Sequence, residues 1–189
     1  MPKSVLNWFI DHATELSRQE SSPCDCVAAL APFMMELIGN APDFLEPEHY
    51  RSDAAHYSRN LIYRSGNDDL SLYALVWMPG QWTPVHDHGS WGVVGIVEGV
   101  LEERSYVCLS VDRTRDEGIE LVRGGIILLP AGAVTSFVPN PDHIHITGVP
   151  AERKRAVSLH LYGRMMSDFH LYDVEAGTRQ LVALEHNAS

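Results

Sequence analysis

From about Tyr57 onward the chain is a succession of short β-rich runs separated by turn residues, and this pattern constrains the fold more than any other feature. The runs read HYSRNLIYRS, LSLYALVWM, GVVGIVEG, LEERSYVCLSV, GIELVRG, GIILLP, VTSFVP, DHIHITGV, RAVSLHLYG, DFHLYDV and RQLVALE. Turns are expected at Gly66-Asn67, Pro79-Gly80, Gly124-Gly125, Pro130-Ala131-Gly132 and Asn140-Pro141. Glycine supplies positive φ at such points, and proline fixes φ and withholds a ladder donor. The regular spacing of the runs points to an antiparallel sandwich or barrel rather than to alternating β/α units. No repeat of 20–50 residues is visible.

The first fifty residues have a different texture. Ser4 is placed to cap a helix whose Val5, Trp8, Phe9 and Leu16 fall near one face. CDCVAALAPFMMELIGN reads as a second helix, interrupted by Pro32 and ended by Gly39-Asn40, and PDFLEPEHY as a short third. A helical cap over residues 1–50 on a β-barrel over 55–184 is the expectation, within one domain of 189 residues.

Composition narrows the function. The net charge is 14 − 25 = −11 and no stretch is strongly basic, which argues against nucleic-acid binding. No apolar run approaches the roughly 20 residues that a membrane helix needs. The N-terminal stretch breaks into charge within a few residues and lacks the apolar core of a secretory signal, so a cytoplasmic protein is expected. Cys24, Cys26 and Cys108 are too few for a disulfide framework, and the C-x-C pair has no second thiol pair to complete a zinc knuckle. The C-terminal Asn-Ala-Ser sequon has no meaning without secretion.

The chemistry concentrates in GQWTPVHDHGSWGVVGIVEG, Gly80 to Gly99. Strand residues two apart point to one face, so His86 and His88 suit either a shared metal ion or two polar positions on a sheet edge. The surrounding frame resembles the cupin superfamily. Gly80, His86, His88 and Gly99 fall at the spacings of its first motif, G-x5-H-x-H-x3/4-E-x6-G, and Gly124, Pro130 and Gly132 match the start of its second, G-x5-P-x-G. Two positions depart: Gly92 stands at the glutamate and Thr135 at the second-motif histidine.

Both departures fit one branch. HYSRNLIYRSGN, LSLYALVWMPG, TPVHDHGSWG, AVSLHLYG and DFHLYD, over roughly residues 55–175, resemble the cysteine dioxygenase family of thiol dioxygenases. The resemblance implies a jelly-roll cupin barrel and Fe(II) held by three histidines with no carboxylate. The ligands it implies are His86, His88 and His145, with His143 as the alternative third. Arg59 would bind the substrate carboxylate, with Tyr57 and Trp77 as weaker candidates to line the pocket. Ser158, His160 and Tyr162, alternating along one strand, would form a hydrogen-bonded relay. The remaining histidines, His12, His49, His56, His170 and His186, are expected to be solvated or structural.

The implied reaction is oxidation of a small carboxylated thiol by O2 to its sulfinic acid. L-cysteine is favoured because Arg59 is present, while Arg164 comes too early to match the 3-mercaptopropionate branch. Mercaptosuccinate, or ligand binding without turnover, are the rivals. The expected assembly is a monomer or a small homo-oligomer. Animal members carry a cysteine near the position of Gly92 that crosslinks to the relay tyrosine; with glycine there, Tyr162 is expected to be uncrosslinked.

Overall fold

The computed structural model describes residues 4–20, 22–67, 69–139 and 143–183. The expected turn at Asn140-Pro141, His186 and the C-terminal sequon lie outside the described residues.

Helix α1 runs Val5–Gln19, and Ser4 caps it by accepting a hydrogen bond from the Asn7 N–H at 3.2 Å. Helix α2 runs Pro23–Gly39 without a break, so Pro32 does not interrupt it. A proline inside a helix costs about 3 kcal/mol. Complete burial of Leu30, Met34 and Leu37 around it outweighs that cost, each contributing about 1.5–3 kcal/mol. The expected third helix is instead two 3-10 turns, Ala41–Asp43 and Pro47–Tyr50, each with a proline in its first turn. No helix among the described residues is long and apolar enough to cross a membrane.

Among the described residues ten strands follow: β1 Ser58–Arg64, β2 Ser71–Trp77, β3 Gly92–Glu98, β4 Val100–Cys108, β5 Leu121–Pro130, β6 Val134–Phe137, β7 Ile144–Gly148, β8 Ala156–Tyr162, β9 Asp168–Asp173 and β10 Thr178–Ala183. They pair antiparallel in sheets ordered β1-β2-β8-β3-β6, β5-β4-β7 and β10-β9. Gly124-Gly125 is not a turn. GIELVRG and GIILLP meet in one strand, and the pairing shifts from Arg104↔Ile126 to Tyr106↔Arg123. Two glycines thus oppose the single Ser105, a bulge. Ser105 Oγ accepts from the Gly125 N–H at 3.0 Å, and a Cβ on Gly124 would lie 2.5 Å from that oxygen.

Strands β2 and β8 are buried on both faces, which explains their nearly continuous apolar sequence. On one face Leu72, Ala74, Val93, Leu159 and Leu161 pack with the helices. Gly95 permits this approach, since a Cβ there would stand 2.6 Å from Ile38 Cγ2. On the other face Tyr73, Leu75, Trp77, Val94, Ile96 and Tyr162 pack with Leu101, Leu129 and Phe137. The second interior contains the candidate site.

Candidate metal centre

His86 and His88 are not on a regular strand; they lie in the connection between β2 and β3. His86 forms an isolated antiparallel bridge with His145 of β7. Each backbone N–H of that pair donates to the other's carbonyl at 3.0 Å. This reciprocal pairing puts the two side chains on one face, as two-residue spacing within a strand would have done.

Asp87, between the two histidines, fastens the connection to β9. Its carboxylate accepts from the His170 N–H at 3.1 Å and from the Tyr172 hydroxyl at 2.8 Å, and lies 3.0 Å from His170 Nδ1. Arg164 fastens the same connection from another side. Its guanidinium donates to the His88 carbonyl at 3.1 Å and to the Asp168 carboxylate at 3.0 Å.

His86, His88 and His145 each present a ring nitrogen, all within 4.8 Å of one another, and all three residues are buried. The His86 Nδ1–H donates to the Pro84 carbonyl at 3.0 Å, leaving Nε2 with its lone pair. His88 Nδ1 and both ring nitrogens of His145 are buried without a hydrogen-bond partner. Burial first, and neighbouring histidines second, hold His86 and His88 well below the usual imidazole range. Burial lowers His145 too, with Glu103 opposing. Three neutral imidazoles converging in a buried space, two of them with unpartnered nitrogens, fit a divalent metal ion of the first transition row. His143 does not join this group; its ring centroid is 6.2 Å from that of His88, against 5.0 Å for His145.

His143 instead pairs with Glu103 of β4, Nε2 to Oε1 at 3.1 Å, while the other carboxylate oxygen stands 3.4 Å from His145 Nδ1. Burial pushes the Glu103 carboxyl up, but its contacts with the two histidines outweigh this and keep it well below the usual range. An ionised carboxylate behind His145 orients the ring and raises its basicity toward a metal. Nothing in the local sequence marks Glu103, since its partners His143 and His145 lie 40 or more positions along the chain.

The cavity beside these rings is lined by Tyr57, Arg59, Trp77, Phe137, His160 and Tyr162, among others. Among the described residues Arg59 is the only lysine or arginine in that lining, and its guanidinium lies 4.8 Å from the centre of the Tyr73 ring. Tyr57 and Trp77 stack at 4.5 Å. On β8, Ser158 Oγ and His160 Nε2 are 2.8 Å apart, and His160 Nδ1 and the Tyr162 hydroxyl 3.2 Å. Trp77 Nε1 donates to Ser158 Oγ at 2.9 Å, a contact the sequence did not reveal. Burial drives the His160 pKa down to about 3 and pushes the Tyr162 phenol well above its usual value.

Gly92 pairs with Tyr162 across β3 and β8. A Cβ there would sit 2.3 Å from Cζ of Phe137, so the ring tip occupies the place of a side chain. The three cysteines of the chain are free.

The sequence matches the family described as cysteine dioxygenase type I over residues 33–175. The chain belongs to the cysteine dioxygenase type I family. Similar solved structures include a double-stranded β-helix protein of Klebsiella pneumoniae, 15% identical, covering 67% of this chain and 92% of that one, with a TM-score of 0.48. An RmlC-like cupin of Ralstonia eutropha is 13% identical, covers 68% of each chain and has a TM-score of 0.46. A cupin-like protein of Thermotoga maritima is 13% identical, covers 74% of this chain and 88% of its own, and has a TM-score of 0.42. Membership of the family rests on the family match alone. That family and the three-histidine group together make this chain a member of a thiol dioxygenase family with a candidate metal site.

Proposed function

We propose that the protein is a non-haem Fe(II) thiol dioxygenase that oxidises L-cysteine with O2 to cysteine sulfinic acid. Both oxygen atoms enter the product: R–SH plus O2 becomes R–SO2H, with no other reductant or oxidant. The observation that carries this reading is the convergence of three buried imidazoles, with no carboxylate among them, on a cavity that also holds a guanidinium and a phenol.

His86, His88 and His145 would hold the iron. Held there, the ion would supply a Lewis acid that lowers the thiol pKa. The protein's own groups do the rest. Neutral imidazoles leave the ion's full charge available to an anionic thiolate. Arg59 binds the substrate carboxylate through its planar fork of donors. Tyr57 and Trp77 wall the cavity with stacked rings and exclude water. Tyr162, supported by His160 and Ser158, presents its hydroxyl to the substrate. Arg164 is committed to the His88 carbonyl and Asp168, which supports Arg59 as the carboxylate anchor.

The same reading takes residues 1–189 as one domain, with residues 1–50 capping a jelly-roll barrel over 55–184. It also takes the protein to be cytoplasmic, a monomer or small homo-oligomer, and without a nucleic-acid partner.

O2 uptake by iron-loaded protein with cysteine, 3-mercaptopropionate and mercaptosuccinate side by side tests the proposal. Fastest turnover with cysteine is expected, and Arg59→Gln should raise its apparent KM by roughly 10- to 100-fold, the scale of a lost charge-assisted contact. No uptake with any of the three thiols would leave a metal-binding module without turnover. An unchanged KM would move the carboxylate site away from Arg59.

A further inference from the structure

We propose that the relay on β8 runs in one direction, from Trp77 through Ser158 and His160 to Tyr162, and that this direction leaves the Tyr162 hydroxyl hydrogen available to the cavity. The inference rests on the reading of Tyr162 as a substrate-facing group, but its test does not require turnover.

The direction follows from counting donors. An indole N–H only donates, so Ser158 Oγ accepts in the 2.9 Å contact with Trp77. The serine retains one hydrogen of its own. Ser158 is fully buried, and among the described residues the one other partner of its hydroxyl is His160 Nε2 at 2.8 Å. Donation there makes Nε2 the acceptor of the ring. A neutral imidazole then carries its hydrogen on Nδ1 and donates it to the Tyr162 oxygen at 3.2 Å. With that oxygen accepting from His160, the phenolic hydrogen is directed elsewhere, and Tyr162 lines the cavity.

The opposite direction is poorly satisfied. His160 would donate from Nε2 to a serine oxygen that already accepts from Trp77. The serine hydrogen would then be buried with no acceptor, and the Tyr162 hydrogen would be consumed by Nδ1. An unmade hydrogen bond of a buried hydroxyl biases such an equilibrium by about tenfold or more. Burial also keeps His160 neutral at ordinary pH, so the ring has one hydrogen to place. Trp77 is a positioning residue in this scheme. By occupying the acceptor side of Ser158 it turns the hydroxyl hydrogen toward His160, and by polarising the serine it strengthens that donation.

The experiment reads the tautomer directly. In 15N-histidine-labelled protein, metal-free and zinc-loaded, long-range proton–nitrogen correlation spectra distinguish Nδ1–H from Nε2–H. The His160 signal is assigned by its loss in His160→Gln. Wild type is expected to show Nδ1–H in at least about tenfold excess at pH 7. Ser158→Ala removes the donor to Nε2 and should produce a mixture. Trp77→Phe keeps an aromatic ring against Tyr57 and should make the Nε2–H form detectable. An Nε2–H wild type, or a Ser158→Ala spectrum identical to wild type, would overturn the proposal. An unchanged ratio in Trp77→Phe would remove Trp77 from it. If the Trp77 variant does not fold, wild type and Ser158→Ala still decide. Failure of thiol turnover would refute the proposed function while leaving the tautomer result standing.

Discussion

Gly92→Ala separates a steric role for glycine from a conformational one. Gly92 does not adopt a positive φ, so an alanine meets no backbone strain there. The obstacle is Phe137, whose Cζ would lie 2.3 Å from the new methyl and whose two Cε atoms would lie 2.9 Å away. Ordinary carbon contact is about 3.5 Å, so the ring tip must retreat by roughly 1 Å. It has little freedom to do so, because it stacks on His88 at 4.3 Å and on His143 at 5.0 Å. Overpacking of this kind costs about 1–3 kcal/mol. In a Phe137→Leu background the ring is gone and the clash with it. Replacing a strand glycine then restricts the unfolded chain and should stabilise by about 0.4–1 kcal/mol. The same substitution is therefore expected to change sign between the two backgrounds, a coupling of about 1.4–4 kcal/mol. Urea denaturation of the four metal-free proteins at pH 7.5 measures it. Equal effects of Gly92→Ala with and without Phe137 would refute the reasoning, because the ring would not then be what excludes a side chain.

Two further outcomes follow from the charges of the site. Glu103→Gln removes the carboxylate behind His145 and should weaken metal binding by about 10- to 100-fold, measured by chelator competition; an unchanged affinity would mean that His145 is oriented by its backbone pairing alone. Folding of the metal-free protein should weaken in acid. His86, His88, His145 and His160 all have folded-state pKa values below the unfolded value of about 6.5. Above that pH they are neutral in both states. As pH falls through it, the unfolded chain takes up protons that the folded chain refuses. Stability is lost at a rate on the order of 1 kcal/mol per histidine per pH unit, and for His160 the loss continues down to its pKa of about 3. Equal stability at pH 7.5 and 5.5 in denaturant titrations would contradict this.

The relay was legible because it is local. Ser158, His160 and Tyr162 alternate along a single strand, and a period of two sends all three to one face wherever that strand lies. The cap of α1 was legible for the same reason, since Ser4 and Asn7 are three residues apart. The histidine pair was legible by its spacing and by the glycine and proline frame around it, although the segment proved to be a bridged connection rather than a strand. Local signals misled where packing decided. Pro32 is carried through α2 by the buried residues on either side of it. Gly124-Gly125 became a bulge because β4 offers Ser105 in the place where a turn was expected.

Sequence alone determined the predominantly β architecture beneath a helical N-terminus, the motif that marks the family and the residue types able to bind a metal and a carboxylate. These follow from period, turn chemistry and spacing, all of which act over a few residues. Tertiary structure decided which groups meet. Pairing of His86 with His145 brought their imidazoles together, and strand register placed Glu103 beside His145. Packing set the Phe137 ring against Gly92, turned Arg164 onto the His88 carbonyl and brought the Trp77 N–H to Ser158. Those contacts join residues tens of positions apart. Their formation depends on sheet register and side-chain volume summed over the whole interior, which no short stretch of the chain encodes.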